Sequence, residues 1–85
     1  MYRLDVSEAA RSALDALPTA AATALPEVWT LLATAPWSGL PQNEHNPDGA
    51  VRHMLFGPAG AGQVIYVILE SVREVHVVAL IWLGD

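Results

Sequence analysis

The first residues of the chain alternate between apolar and polar side chains. Tyr2, Leu4 and Val6 are apolar, whereas Arg3 and Asp5 are polar. A period of two is typical of a β-strand that buries one face, so this segment is predicted to be the first strand of a sheet.

A helical pattern follows this strand. Ser7 is a suitable N-cap, and Glu8 lies in the first turn, where the helix dipole favours a carboxylate. Apolar side chains then recur at intervals of three and four residues as far as Leu17, and Pro18 ends the helix.

A second helical pattern ends at Pro36, and either Thr19 or Thr23 is predicted to cap its start. Its apolar stripe consists of Ala21, Leu25, Val28, Leu32 and Ala35. A helix that starts at Thr19 places Pro26 in its interior, at a cost of about 3 kcal/mol. We therefore expect either a kink near residue 22 or a start at Thr23.

The second half of the chain has the pattern of a β-meander. A loop over residues 37–49 is followed by three predicted strands over residues 50–56, 63–70 and 73–83. The order of elements predicts an α+β fold, β-α-α-β-β-β, in a single domain over residues 1–85. Two helices are expected to pack on one face of a small, mainly antiparallel sheet.

The last predicted strand is strongly apolar and is expected to leave an apolar edge. Its exposed candidates are Val77, Val78, Leu80, Ile81 and Trp82. We expect the isolated protein to associate with itself through these late strands. Trp82 is open to two interpretations, as part of the core or as part of a partner surface.

Composition narrows the possible functions. Hydrophobic residues make up 53% of the chain and charged residues 15%, which excludes intrinsic disorder. There are no cysteines, and nine acidic residues outnumber four arginines and no lysine, for a net charge of −5. Non-specific attraction to nucleic acid or anionic lipid is therefore not expected.

The start of the chain lacks the apolar run of a signal peptide, and the longest apolar stretch is too short to span a membrane. We expect a soluble, cytoplasmic protein without a membrane partner. The mean hydropathy of +0.34 is high for a small chain, which favours a protein partner.

Two candidate ligand sites are weak. The turn at residues 57–62 (GPAGAG) has the glycine spacing of a phosphate loop but lacks the following Lys and Ser/Thr, so a hairpin turn is preferred. His45, His53 and His76 have no zinc-ligand spacing. Neither a metal nor another cofactor is expected.

Arg52 is the most informative polar residue of the predicted strands. It shares a face with Met54, and His53 shares the other face with Leu55. One hypothesis places Arg52 on an open sheet face that holds a substrate. The alternative is a pair with a surface carboxylate, which contributes little to stability.

Four segments resemble one protein family. They are Tyr2–Pro18 (YRLDVSEAARSALDALP), Leu25–Trp37 (LPEVWTLLATAPW), Gly49–Phe56 (GAVRHMLF) and Gln63–Glu70 (QVIYVILE). Their content and order resemble the RelE/ParE superfamily of toxins from type II toxin–antitoxin modules, over almost the whole chain.

The resemblance implies a function and a partner. RelE-like members cleave mRNA in the ribosomal A site without a metal, ParE-like members inhibit DNA gyrase, and a cognate antitoxin neutralises both. The resemblance matches Arg52 to a position that is often basic, where it would bind phosphate in an active enzyme. His53 or His76 is then a weak candidate acid or base, although His76, like Arg73, matches no catalytic position of the family. Gln63 stands where the family has an Arg, and Arg73 is a further polar group that could contact substrate.

This site is poor in positive charge. Met54 replaces another basic position, and the family's C-terminal His-Arg or Tyr segment has no counterpart before Asp85. We therefore expect a toxin-like protein that is an mRNA endoribonuclease of weak or lost activity. The alternative is a non-enzymatic protein-interaction module, or a gyrase-inhibitor-like toxin, on the same fold.

Overall fold

The alternating and helical patterns form five strands and three helices in a computed structural model that describes residues 1–84. The strands are β1 (Arg3–Val6), β2 (Leu40–Pro41), β3 (Val51–Phe56), β4 (Gly62–Leu69) and β5 (Glu74–Trp82). The helices are α1 (Glu8–Asp15), α2 (Thr19–Ala22) and α3 (Leu25–Thr34). The predicted α+β class and its mainly antiparallel sheet are confirmed.

The sheet has the strand order β1-β5-β4-β3-β2. The pairs β2–β3, β3–β4 and β4–β5 are antiparallel, whereas β1 lies parallel to β5. After β1, the three helices cross one face of the sheet, and β2 begins at the opposite edge. The first and last strands of the chain are therefore neighbours.

The first helix begins as predicted. The hydroxyl oxygen of Ser7 accepts a hydrogen bond from the Ala10 N–H at 3.1 Å, which satisfies one free donor of the first turn. The helix ends at Asp15, and the next residues form a turn in which the Leu17 N–H donates to the Leu14 carbonyl.

The kink expected near residue 22 is confirmed, but the predicted caps are wrong. Helix α2 stops at Ala22 and α3 starts at Leu25, so that Pro26 falls in the first turn of α3, where no N–H is needed. Neither Thr19 nor Thr23 caps a helix. The Thr23 hydroxyl instead donates to the Ala20 carbonyl at 3.1 Å.

The core lies between the helices and one face of the sheet. Val64, Tyr66 and Ile68 of β4 are buried there, as are Val75 and Val77 of β5. They pack with buried side chains of all three helices, of which the main ones are Ala10, Ala21, Leu25, Val28 and Leu32. Trp82 packs on the margin of this core, with its ring centroid 6.3 Å from that of Phe56.

The structure covers only the start of the apolar edge predicted at the end of the chain, since within residues 1–84 Val78–Trp82 of β5 pair with β4 and have no strand on their other side. Residues Glu74–Val77 of β5 lie inside the sheet, because β1 covers them on one side and β4 on the other. The sheet begins at β1 and ends at β2, which is a strand of two residues within the predicted loop. In residues 1–84, no helix combines the length and apolarity needed to cross a bilayer.

Candidate functional site

Arg52 lies under the loop of residues 37–49 and not on the open face of the sheet. Its side chain points toward the helices with Tyr66, its partner on β4, and only 8% of the residue is exposed. The guanidinium donates to the carbonyls of Gly49 (3.1 Å), Gly39 (2.9 Å), Trp37 (3.3 Å) and Pro47 (2.6 Å). The open-face hypothesis is wrong, and so is the alternative of a surface carboxylate pair.

The loop above Arg52 is fixed by a second buried contact. The Tyr66 hydroxyl donates to the Pro36 carbonyl at 2.6 Å, and burial raises the pKa of this phenol. The backbone approaches closely at Gly39, since a Cβ there would meet the Tyr66 hydroxyl and lie 2.9 Å from the His53 carbonyl oxygen. Glycine is therefore the residue that fits between the loop and the strand.

A third contact at the loop is centred on the carboxylate of Glu70. The Tyr2 hydroxyl donates to it at 2.6 Å, the Trp37 indole N–H at 2.8 Å and Arg73 at 2.8 Å. The hydrogen bond from Tyr2, then those from Trp37 and Arg73, lower the pKa of Glu70 to about 2. The bond to Glu70 raises the pKa of Tyr2 in turn.

Arg73 is held within this cluster. It adopts a left-handed backbone conformation (φ 54°, ψ 51°), and its guanidinium carbon lies 4.1 Å from the centroid of the Tyr2 ring. The ion pair with Glu70 and the cation–π contact occupy the side chain. Its predicted role in substrate binding stays a prediction.

The other three predicted site residues share the open face of the sheet. His53 pairs with Ile65 of β4, and Gln63 lies two residues along that strand, so these side chains are diagonal neighbours. His76 lies opposite Val67, across β4 from the strand that carries His53. The register separates the two histidines by roughly 12 Å. The structure thus groups His53 with Gln63 but does not bring His76 to them.

His76 has acidic partners instead. Its Nε2 lies 2.9 Å from a Glu74 carboxylate oxygen, and its Nδ1 lies 3.9 Å from Asp5. Arg3 donates to the other Glu74 oxygen at 2.6 Å. The hydrogen bonds from His76 and then from Arg3 lower the pKa of Glu74. No group of three or more His, Asp or Glu in residues 1–84 is arranged to hold a metal ion.

Away from the charged residues that surround His76, the open face is largely apolar. Its exposed large side chains include Leu40, Val51, Leu55 and Ile81. Three of the four arginines make side-chain contacts with carboxylates or carbonyls, and within residues 1–84 only Arg11, on α1, makes neither. The arginine of the open face, Arg3, is paired with Glu74, and 75% of its side chain is exposed.

The turn at residues 57–62 is a hairpin connection, as preferred from the sequence. It joins β3 to antiparallel β4, and Gly57 (φ 81°) and Gly60 (φ 67°) both use the left-handed region. A phosphate loop would lead into a helix, whereas this turn leads into a strand.

Comparison with known proteins identifies the fold. No protein-family model and no curated sequence matches the chain. The crystal structure of the isolated Escherichia coli RelE toxin superposes with a TM-score of 0.79 at 13% identity, over 100% of this chain and 87% of that one. This chain has the RelE fold.

Two toxin–antitoxin complexes contain similar chains. A chain of the intact E. coli RelBE complex matches with a TM-score of 0.77 at 14% identity, over 100% of this chain and 99% of that one. The RelE–RelB complex of Pyrococcus horikoshii gives 0.66 at 20% identity, over 99% and 97% of the two chains. The fold expected from the family resemblance is confirmed at full length.

Sequence reasoning missed the roles of Tyr2 and Glu70. Tyr2 was assigned to the buried face of the first strand, and Glu70 to the end of a strand. The hydrogen bond between them joins residues 68 positions apart, and the bond from Trp37 to Glu70 spans 33. No local sequence pattern indicates contacts over such distances. The one indication in the sequence is that Arg73 follows Glu70 by three residues, a spacing at which the two side chains can pair.

Proposed function

We propose that this protein is the toxin component of a RelBE-type toxin–antitoxin module and that a cognate antitoxin binds it. The single observation that carries the proposal is the agreement with the RelE fold over the entire chain, including a chain taken from a toxin–antitoxin complex. Such a pair would act in the cytoplasm.

Inducible expression in a bacterial host tests this proposal. We expect growth to stop when the chain is produced alone and to resume when the neighbouring open reading frame is expressed with it. If the cells produce the chain in soluble, folded form and still grow normally, the proposal that it is a toxin is wrong.

The mechanism we propose for the toxin is protein binding, with mRNA cleavage weak or lost. The observation that favours this mechanism is the charge of the open face, on which His53 and Gln63 lie among apolar side chains and the arginine near His76, Arg3, is paired with Glu74. Cleavage of RNA requires the charge of the phosphates to be neutralised, and a glutamine donates a hydrogen bond without carrying charge. A protein target, such as the gyrase bound by other toxins of the superfamily, needs no such charge.

Cleavage and protein binding make different predictions for the two histidines. If the chain cleaves mRNA on the ribosome, His53→Ala or His76→Ala restores growth and bulk mRNA stays intact. If it acts by binding protein, both variants still arrest growth and the mRNA is uncut in every case. Arg52→Ala is a poor test of catalysis because its carbonyl contacts support the fold.

A further inference from the structure

We propose that the cavity between the loop of residues 37–49 and the start of β3 binds a carboxylate group, carried by a small molecule or by a peptide terminus. The inference stands apart from the toxin function, because it rests on a buried charge, on the direction of one peptide group and on the side chains of the cavity. A growth assay tests the toxin function and a titration tests the cavity, so either proposal can fail alone.

The cavity is lined by neutral polar groups. It has a volume of about 350 Å³, and its lining residues are Gln42, Asn43, Asn46, Gly49, Ala50 and Val51. None of them is charged, and three carry a carboxamide, whose NH2 group donates hydrogen bonds. The Asn43 carboxamide oxygen accepts from the His45 N–H at 2.9 Å, which leaves its NH2 group to donate. The lining therefore offers donors to a ligand without offering a surface charge.

The positive charge of Arg52 lies behind this lining. Arg52 does not line the cavity, and only 8% of the residue is exposed. Within residues 1–84, no carboxylate lies at ion-pair distance from its guanidinium. A buried charge without a counter-charge is costly, so an anion in the cavity would be stabilised by the uncompensated charge behind it.

The peptide group between Gly49 and Ala50 connects this charge to the cavity. The Gly49 carbonyl accepts from the Arg52 Nε at 3.1 Å. Since C=O and N–H point in opposite directions in a planar trans peptide, the Ala50 N–H points away from the guanidinium. Both Gly49 and Ala50 line the cavity, and in the part of the chain that the structure describes the Ala50 N–H donates to no other backbone group. The oriented peptide dipole thus favours an anion on the cavity side.

A second donor is packed beside the first. A Cβ at Gly49 would lie 2.8 Å from the Asn46 Nδ2, so the carboxamide of Asn46 lies directly against this glycine. The Gly49 N–H also donates to the Asn46 carbonyl at 3.0 Å, which closes the turn between them. A carboxylate has two acceptor oxygens, so one ligand group can accept from the Asn46 NH2 and from the Ala50 N–H.

The charge of the chain favours a carboxylate over other oxyanions. One guanidinium behind the cavity matches one negative charge. Glu44 and Asp48 belong to the same loop, although neither lines the cavity, and the whole chain carries a net charge of −5. A phosphate monoester carries up to two negative charges and a nucleic-acid strand carries one at every nucleotide, so both would meet greater repulsion than a carboxylate.

The test is a titration of the whole chain with acetate, followed by amide NMR spectra at constant ionic strength. We expect the Ala50 amide signal to shift until the site is saturated. Acetamide, which has the same shape without the charge, should bind about tenfold more weakly. Trialanine and its C-terminal amide then distinguish the two sources of the carboxylate. Tighter binding of trialanine than of acetate would indicate a peptide terminus, and equal or weaker binding would indicate a small molecule.

Two variants that add the same negative charge make the test specific for the cavity. Asn46→Asp replaces a donor of the lining with a carboxylate and should weaken acetate binding about tenfold. Ser12→Asp adds its charge on α1, which packs against β5, whereas the cavity lies at the start of β3. This control variant should bind acetate as the wild type does.

Several outcomes would overturn the proposal. It is wrong if acetate shifts the Ala50 signal no more than chloride does, if acetamide binds as tightly as acetate, or if the two variants lose the same affinity. Tighter binding of inorganic phosphate than of acetate would also overturn it and would assign the cavity to phosphate groups. The comparison of acetate with acetamide uses the wild-type chain, so it does not depend on the folding of a variant.

Discussion

Two of the three polar contacts at the loop of residues 37–49, those of Arg52 and Glu70, are built in opposite ways. Arg52 is a buried cation that donates only to neutral carbonyls. Glu70 is a half-exposed carboxylate that accepts from a hydroxyl, an indole and a guanidinium. Trp37 joins the two, because its carbonyl accepts from Arg52 and its indole N–H donates to Glu70.

The difference between these contacts shows how a chain with few cations uses them. Water can replace the partners of an exposed carboxylate at little cost, whereas it has little access to Arg52, of which only 8% is exposed. The contribution to stability should therefore be large for Arg52 and small for Glu70. Both contacts also use an arginine that the sequence analysis proposed for the substrate, Arg52 from the family resemblance and Arg73 as a further polar group.

The largest expected effect comes from Arg52→Ala. The change removes the donor of the buried Gly39 carbonyl and of three part-buried carbonyls, and we expect the free energy of unfolding to fall by about 3 kcal/mol. Urea denaturation measures it. Arg11→Ala is the matched control, since Arg11 is exposed on α1, and it should be nearly neutral. If the two variants are equally stable, the carbonyl contacts of Arg52 do not support the fold, and a substrate-binding role for this side chain is favoured.

The sequence could place Arg52 on a strand but could not choose its face. The alternation correctly grouped Arg52 with Met54 and His53 with Leu55. Both sets contain apolar residues, so period two alone does not say which set the helices cover. The decision comes from the register with Tyr66 and from the carbonyls of a loop that has no periodic pattern.

The helices and strands themselves were largely predictable, because their signals are local. Ser7 caps α1 through a bond three residues away, and Pro26 breaks the second helical pattern through its own ring. The parallel pairing of β1 with β5 was not predicted, since it joins residues at opposite ends of the chain. That pairing also places Glu74–Val77 of β5 inside the sheet, whereas Val78–Trp82 extend beyond β1.

A smaller loss is expected for Tyr66→Phe. Removing the hydroxyl leaves the buried Pro36 carbonyl with only the long bond from the Gly39 N–H (3.4 Å), which should cost about 1–2 kcal/mol. The matched change Tyr2→Phe removes a bond to the exposed Glu70 and should have less effect in the same urea experiment. If Tyr2→Phe lowers the free energy of unfolding more than Tyr66→Phe does, the bond to Glu70 contributes more to stability than the bond to Pro36, and the prediction is wrong.

Glu70→Gln should have a smaller effect still at neutral pH. Glutamine keeps an oxygen that can accept from Tyr2 and Trp37, and it loses the charge that pairs with Arg73. We expect a small decrease in the urea midpoint that shrinks as salt is added, because salt screens exposed charges. A decrease as large as that of Tyr66→Phe, or one that salt does not change, would show that Glu70 acts as a buried group.

The same variant gives the smallest and most specific test when the pH is lowered. Hydrogen bonds from Tyr2, Trp37 and Arg73 lower the pKa of Glu70 to about 2 in the folded chain, against an ordinary value of 4.5. A lowered carboxyl pKa adds stability above the unfolded value, and this stability is lost as the pH falls toward the folded value. The difference between wild type and Glu70→Gln should therefore be constant near neutrality and disappear between those two pKa values. Glu74, whose pKa is also lowered, is present in both proteins and cancels in the comparison. A difference that persists in acid would show that the lost interaction does not depend on the charge of Glu70.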